Sequence, residues 1–363
     1  MTQRLQINIS ERVLHWFDQH GRKNLPWQKG INPYRVWVSE IMLQQTQVNT
    51  VIPYFETFIQ AFPTVAKLAE ASEDQVLHLW TGLGYYSRAR NLHKAAQLIT
   101  QHHQGELPDN VDALCELPGI GRSTAGAITA IAFKKQAAIL DGNVKRVLAR
   151  HHTVAGWPGQ TQALNQLWLY AEAHTPKKRV ADYTQAMMDL GATLCTRSKP
   201  ACPLCPLNND CQAYETGSQA DYPGKKPKKV LPIKATVMLM IENQNGEVIL
   251  EKRPSSGVWA SLWIFPQLES ITDINNYCEA HLNSKAEHIN HWASYRHTFS
   301  HYHLDITPVH IRLNSKPHEI MAAGKQLWYN RQQPQSIGLA APVKKLISQL
   351  DQPSANHQPL QPQ

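Results

Sequence analysis

The sequence predicts a multidomain protein in which an all-α domain is followed by a smaller α/β domain. Three observations lead to this prediction. Apolar residues recur every three or four positions up to about residue 222, a basic stretch with prolines follows, and beyond it the pattern becomes strand-like. The chain has 363 residues, which is also too long for one ordinary domain.

The helical domain is expected to span residues 1–222. Its spacing is visible in Val65, Leu68 and Ala69, and breaks fall at glycine and proline clusters such as GLGYY and GELPDN. The segment PGKKPKKVLPIK then predicts a basic linker over 223–232, because its lysines and three prolines suit a packed core poorly.

The second domain is expected to span residues 233–352. Asn245-Gly246 lies between two strand-like runs and predicts a hairpin. Further strands are predicted in WIFP, HTFSHYHLDITPVHI and QLWYN, and a terminal amphipathic helix in LAAPVKKLISQL. The tail, 353–363, is expected to be disordered.

Composition excludes several classes of protein. Hydrophobic residues make up 42% and charged residues 18%, as in globular proteins. No run approaches 18 apolar residues, so no transmembrane helix is expected, and the N-terminus lacks the apolar core of a secretory signal. We therefore expect a cytoplasmic protein. The net charge of +8 favours a polyanionic partner, although a soluble basic protein has the same charge.

Four of the six cysteines form the pattern C-x6-C-x2-C-x5-C: Cys195, Cys202, Cys205 and Cys211. Zinc sites usually pair two short knuckles across a longer gap, whereas here one compact loop supplies all four thiolates. An iron–sulfur cluster fits this spacing better than zinc or incidental cysteines. Arg197 and Lys199 lie between the first two cysteines, where they could contact a phosphate or simply be solvated.

A glycine-rich turn precedes a helix in LPGIGRSTAGAITAIAF, with Gly119 and Gly121 at the turn. Glycine permits positive φ, so successive backbone N–H groups can point at one anion, and the helix N-terminus adds partial positive charge. The segment 112–133 therefore suggests a hairpin that holds DNA backbone without reading sequence. An ordinary corner between two helices is the alternative.

LPGIG and the four-cysteine loop resemble the helix-hairpin-helix DNA glycosylases of the endonuclease III superfamily. Further strings narrow the resemblance to adenine-specific DNA glycosylases of the MutY type, over roughly residues 10–350: SEIMLQQTQV, WTGLGYYSRARNL, ILDGNVKRVLAR, TQAMMDLGATLCTRSKPACPLCPL and YRHTFSHYHLDI. The resemblance implies one 4Fe-4S cluster on the loop 195–211. It also implies excision of adenine mispaired with 8-oxoguanine, and less strictly with guanine, in double-stranded DNA.

Cleavage of an N-glycosidic bond needs an acid for the leaving base and a carboxylate beside the cationic sugar, as in the carboxylate pairs of sugar hydrolases. Glu40 shares a helix face with Gln44 and Gln47, and at the edge of an apolar pocket its pKa would be raised. A Glu in a first helical turn is the alternative, but the resemblance implies the general acid here. Asp141 is an expected N-cap that N–H bonds would keep ionised. The resemblance assigns it stabilisation of the cationic sugar or a transient covalent bond to that sugar, and Asn143 in the same string is expected to orient the reacting groups.

Ser123 occupies the position at which strand-cleaving relatives carry a lysine for Schiff-base chemistry. We therefore expect a monofunctional glycosylase, with Lys145 trapping the aldehyde product only in a side reaction. The resemblance places Gln45 and Tyr85 at intercalating positions, and Trp27 and Gln185 in the walls of the adenine pocket. Arg88 and Arg90 are each expected to contact phosphate or to be a surface charge, and Arg88 is taken as a candidate DNA contact.

The C-terminal domain resembles a Nudix-type fold, and Phe299, Ser300 and His301 match its loop that probes 8-oxoguanine. The pyrophosphatase signature R-E-x-x-E-E is missing after residue 233, so binding rather than hydrolysis is expected there.

Three alternatives are a bifunctional endonuclease III-like glycosylase/lyase, a non-catalytic DNA-binding redox sensor and a nucleotide pyrophosphatase. The first is disfavoured by Ser123, and the second by the presence of both Glu40 and Asp141. The third is disfavoured by the missing pyrophosphatase signature. We expect a monomer with DNA as partner and no membrane association.

Overall fold

The computed structural model of the protein describes residues 8–227, 230–282, 286, 288–313 and 325–352, so the predicted disordered tail lies outside the described residues. The chain forms two compact units, Met1–Glu70 with Asn91–Lys228, and Ala71–Arg90 with Lys229–Gln363. The segment Ala71–Arg90 thus packs in the C-terminal unit, although its sequence position is in the helical domain. The boundaries drawn from the sequence stay a prediction, because compact packing and independent folding are different properties.

The first part of the chain is helical, as its apolar spacing predicts. Its helices are α1 (Ile9–His20), α2 (Pro33–Leu43), α3 (Val48–Ala61), α4 (Val65–Glu70), α5 (Glu73–Trp80), α6 (Ser87–His102), α7 (Val111–Cys115), α8 (Arg122–Ala132), α9 (Gly142–His151), α10 (Thr161–His174), α11 (Val180–Thr193) and α12 (Gln212–Glu215). Side-chain caps start several of them. The Asn32 side chain accepts a hydrogen bond from the Arg35 N–H, and that of Asn110 from the Ala113 N–H.

One apolar core joins α1, α9, α10 and α11. Val13, Leu148, Leu167 and Leu190 are buried in it. Because this core fixes the start of α9 and one face of α11, the polar residues at their edges are held on a rigid frame.

The second unit contains an eight-stranded mixed sheet in its described part. The strands are β1 (Ile233–Glu242), β2 (Val248–Lys252), β3 (Trp263–Ile264), β4 (Gln267–Leu268), β5 (His288–His291), β6 (Tyr295–Thr298), β7 (His303–Arg312) and β8 (Gln326–Tyr329). The sheet order is β3-β2-β1-β7-β5, with β4 on β1, β6 on β7 and β8 on β2. The central pair β1 and β7 is parallel, and the other pairs are antiparallel.

Helices cover this sheet. Five consecutive residues of β1, Val237 to Ile241, are buried, which indicates that both faces are covered. Helix α13 (Ile274–Leu282) packs against one face through Ile274 and Cys278, and α14 (Ala341–Leu350) buries Val343 and Leu346.

The strands and the terminal helix predicted from the sequence are present. The loop between β1 and β2 spans residues 243–247 and includes Gly246 at φ +77°, in the left-handed region that glycine adopts without strain. In the described part of the chain, no helix is both long and apolar enough to cross a lipid bilayer.

Candidate active site

A cavity of about 790 Å³ opens in the helical unit and collects most of the residues predicted to act on the base. Glu40 reaches it from α2, Ser123 from α8 and Gln185 from α11. Asp141 reaches it as the N-cap of α9, and Trp27 lies in a short 3₁₀ turn at Pro26–Gln28. Residues from five parts of the sequence therefore meet at one site.

Glu40 is a partly buried carboxyl at the wall of this cavity. Removal from water raises its pKa from an ordinary 4.5 to about 8, and the negative charge of Asp141 acts in the same direction. At neutral pH the group is mostly protonated. It can therefore donate a proton, as the sequence-based assignment requires of it.

Asp141 is held in place by the start of α9. One carboxylate oxygen accepts the Val144 N–H at 2.8 Å, and the other accepts from the Asn143 side chain at 3.3 Å. Burial raises the pKa of Asp141 above its ordinary value, although these hydrogen bonds and the charge of Arg146 oppose that change. The sequence predicts the cap correctly, but burial outweighs the N–H bonds that were expected to favour the ionised form.

A chain of hydrogen bonds leads from Asp141 to the cysteine loop. Asn143 accepts from Arg146 at 2.9 Å, and the same guanidinium donates to the carbonyl oxygens of Cys195 and Gly191, each at 2.6 Å. Arg146 was not singled out from the sequence. Its helical spacing from Asn143, three residues further along α9, is the signal that could have identified it.

The walls predicted for the adenine pocket are both present. Trp27 is buried and packs edge-on against Phe55. Gln185 donates to Asp189 at 2.8 Å, and the fully buried Asp189 also accepts three hydrogen bonds from Arg22. Sequence reasoning missed Arg22 and Asp189, although Asp189 lies one helical turn beyond Gln185.

The predicted hairpin runs from α7 to α8. Gly119 has φ +81°, and a Cβ added there would lie 2.8 Å from the Asn91 Cβ. Gly121 instead has φ −91° and serves as the N-cap of α8. Ser123 Oγ accepts the Leu140 N–H at 2.9 Å, which ties α8 to the segment before Asp141.

The two predicted intercalating residues share an unusual backbone. Gln45 has φ +57° and Tyr85 has φ +47°, and both side chains are exposed. Non-glycine residues in this region are strained and cluster at functional sites. The two strained turns are therefore consistent with a role in binding, which remains a prediction.

The predicted DNA cations differ in their surroundings. Arg88 is buried, donates to the carbonyl oxygens of Leu83 and Gly84, and lies over the Tyr85 ring. Burial lowers its pKa to about 10. Its burial and its carbonyl partners favour support of the Tyr85 turn over both alternatives expected from the sequence, a direct phosphate contact and a surface charge.

Arg197 and Lys199 are exposed in the loop between the first two cysteines. Lys145 is partly buried on α9, and it does not appear among the described residues that line the cavity.

All four predicted cysteine ligands line a second, separate cavity of the helical unit, together with Leu194 and Leu207. Arg150 donates to Cys195 Sγ at 3.4 Å, and Gln219 donates to Cys202 Sγ at 3.8 Å. Such donors suit thiolates, so these residues fit an iron–sulfur cluster. Within the described residues, no three His, Cys, Asp or Glu side chains are grouped closely enough to hold a single metal ion.

In the C-terminal unit, Phe299, Ser300 and His301 form the tight turn between β6 and β7. The Phe299 N–H donates to the Tyr302 carbonyl at 2.9 Å, and Ser300 and His301 are exposed at the tip. The turn therefore presents two polar side chains to solvent.

The chain is similar to known proteins in both units. Residues 38–172 match the HhH-GPD superfamily base excision DNA repair protein, and residues 237–349 match the NUDIX domain. An adenine DNA glycosylase of Buchnera aphidicola subsp. Baizongia pistaciae is 40% identical, over 96% of this chain and 98% of its own length. The chain belongs to the adenine DNA glycosylase family.

A second relative agrees with this membership, and a solved structure agrees with a DNA glycosylase fold. The human adenine DNA glycosylase is 31% identical over 92% of this chain and 72% of its own length. A solved thermostable thymine-DNA glycosylase is 26% identical, with a TM-score of 0.50 over 57% of this chain and 95% of that one. The predicted family, the fold class and the assignment as a base excision repair glycosylase are therefore confirmed.

Proposed function

We propose that this protein removes adenine paired with 8-oxoguanine, or less strictly with guanine, from double-stranded DNA. The observation that carries the proposal is the placement of Glu40, with a pKa of about 8, beside Asp141 in one cavity. An acid that is protonated at neutral pH and a second carboxylate form the minimum set for breaking an N-glycosidic bond.

The proposed reaction begins with extrusion of the adenine, at a cost of about a few kcal/mol. Gln45 and Tyr85 are the residues proposed to fill the gap in the duplex. The flipped base lies between Trp27 and Gln185, and the Arg22–Asp189 pair holds the Gln185 amide in one orientation.

Glu40 gives its proton to a ring nitrogen of adenine as the bond to the sugar C1′ breaks. The base thus leaves as a neutral molecule, and the Asp141 carboxylate stabilises the cationic sugar. Water then adds its hydroxyl to C1′, and its remaining proton returns to the Glu40 carboxylate. Asn143 fixes the Asp141 carboxylate through its side-chain hydrogen bond.

The proposed reaction ends at an abasic site without strand cleavage. Strand cleavage through a Schiff base needs a lysine amine at the sugar. Ser123 occupies the expected position, and none of the described residues that line the cavity is a lysine.

Cys195, Cys202, Cys205 and Cys211 are proposed to hold one 4Fe-4S cluster. When bound, the cluster would cross-link the loop and hold Arg197 and Lys199 near DNA phosphate. Phe299, Ser300 and His301 are proposed to probe the base opposite adenine. We further propose that the protein acts as a monomer in the bacterial cytosol, where it associates with the nucleoid through DNA.

The test is a glycosylase assay on end-labelled duplexes with adenine opposite 8-oxoguanine, guanine or thymine, with and without alkali. Cleavage of the adenine strand only after alkali is the expected result. Nicking of an oxidised-pyrimidine duplex without alkali, with no product from any adenine mispair, would instead favour the bifunctional endonuclease III-like alternative.

A further inference from the structure

The segment Ala71–Arg90 carries Tyr85, yet it packs with the C-terminal unit. Asp74 on α5 accepts a hydrogen bond from Lys252 Nζ at 2.7 Å and from Trp263 Nε1 at 3.1 Å. Both Asp74 and Lys252 are only partly exposed, so the ion pair is partly shielded from solvent. This contact anchors the start of the segment to β2 and β3.

The middle of the segment also makes hydrogen bonds within this unit. Thr81 Oγ1 accepts the Leu339 N–H at 3.4 Å, and the Tyr86 hydroxyl donates to the Leu339 carbonyl at 3.1 Å. The backbone passes so close that a Cβ on Gly338 would lie 2.5 Å from the Leu77 Cβ. Contacts of this kind leave little freedom for the turn that holds Tyr85.

The loop at Phe299 has its own support in the same unit. Phe299 packs against Trp259 and His297, with ring centroids 5.3 and 4.7 Å apart. Trp259 has φ +55°, a strained value that surrounding contacts must maintain. The position of Phe299 therefore depends on the backbone at Trp259.

Arg90 connects the segment that carries Tyr85 with the backbone beside Trp259. Its NH1 donates to the carbonyl oxygen of Ala260, the residue that follows Trp259, at 2.9 Å. Burial lowers the pKa of this guanidinium, which indicates that it lies away from bulk water. Arg90 also lies on α6, five residues beyond Tyr85.

We propose that Arg90 and Trp259 are positioning residues that couple recognition of the opposite base to insertion of Tyr85. The inference rests on the proposed function, because it takes Phe299–His301 as the segment that probes 8-oxoguanine. When those residues engage the opposite base, the Trp259–Ala260 backbone fixes the Arg90 side chain and, through α6, the Tyr85 turn. Recognition of 8-oxoguanine then favours the extrusion of adenine, and this produces the preference for that opposite base.

The test compares Arg90→Met, Arg90→Lys and Trp259→Ala in the full-length protein. The measured quantity is the single-turnover excision rate opposite 8-oxoguanine divided by the rate opposite guanine. Arg331→Met is the control for loss of a guanidinium from the same unit. Arg331 donates to the Gly246 carbonyl at 2.9 Å and also pairs with Glu242 and Asp351, so this variant tests whether lost stability alone changes the ratio. Thermal unfolding of each variant is recorded alongside.

Arg90→Met and Trp259→Ala are each expected to lower this ratio about five- to tenfold, the usual scale of coupling changes. The double variant should lower it no further, because both changes break one connection. Arg90→Lys keeps a donor and should recover most of the ratio, and Arg331→Met should leave it unchanged.

Two results would overturn the inference while the proposed function stands. One is an unchanged ratio in Arg90→Met. The other is an equal loss of affinity for both duplexes with a shallower salt dependence, which would make Arg90 a phosphate contact. A wild-type protein without any preference for 8-oxoguanine would instead contradict the proposed function.

Discussion

Glu40→Gln should separate catalysis, affinity and stability in one variant. With a pKa of about 8, Glu40 is about nine-tenths protonated at pH 7 and about one-tenth at pH 9. The wild-type single-turnover rate should therefore fall about tenfold between these pH values. Glutamine cannot donate this proton, so the variant should lose about 10²- to 10⁴-fold in rate and also lose the decline above pH 8. Its affinity for duplex DNA should remain.

The raised pKa of Glu40 also predicts that Glu40→Gln stabilises the folded protein at pH 7. A carboxyl with a raised pKa binds more protons in the folded state than in the unfolded state. Its contribution to stability is therefore complete below about pH 4.5, falls progressively above that pH, and is fully lost once pH has risen through about 8. Glu40→Gln removes this loss and should therefore raise the free energy of unfolding at pH 7 by at most about 3 kcal/mol. This value is an upper limit because the cavity is open to water.

The assays are excision rates from pH 5 to pH 10, duplex affinity and thermal unfolding at pH 5 and pH 7. Glu56→Gln is the control, because this glutamate is exposed on α3. Equal losses of excision and affinity in Glu40→Gln would refute the assignment of Glu40 as the acid. So would an unchanged decline in rate above pH 8.

Three further variants change Asp141, Arg146 and Cys205. Asp141→Asn keeps a capping side chain but removes a charge, so excision should fall about 10²- to 10³-fold. Because the Asp141 charge raises the pKa of Glu40, the residual rate of this variant should begin to decline at a lower pH than the wild-type rate. Single-turnover rates across pH measure both effects. Arg146→Leu breaks the connection between Asn143 and the cysteine loop and should lower excision about 10- to 100-fold, with duplex affinity measured in parallel. Cys205→Ser should lower both the iron bound per chain and the unfolding temperature, as measured by iron analysis and calorimetry.

The sequence predicts the parts of the site that depend on local patterns. Helix caps, glycine turns and cysteine spacing are short-range features, so the start of α9 at Asp141 and the shared position of the four cysteines could be anticipated. The strands β1 and β2 and helix α14 follow from period and turn chemistry in the same way.

Other features depend on partners far away in the chain. The period of residues 71–90 is helical, but their hydrogen-bond partners lie between residues 252 and 339, so no local pattern could assign this segment to the C-terminal unit. Arg22 and Asp189 are likewise 167 positions apart. The pKa of Asp141 depends on burial and hydrogen bonding, which act in opposite directions, and only the structure gives the balance between them.

The central claim is that Glu40 protonates adenine that has been extruded from a pair with 8-oxoguanine. The most direct test measures the release of free adenine from such a duplex in a single turnover at saturating protein. The wild type and Glu40→Gln are compared. The account predicts rapid release by the wild type, slower release from the guanine pair, and almost none from the variant while it remains bound. Release by Glu40→Gln at the wild-type rate, or no release of adenine by the wild type, would contradict it.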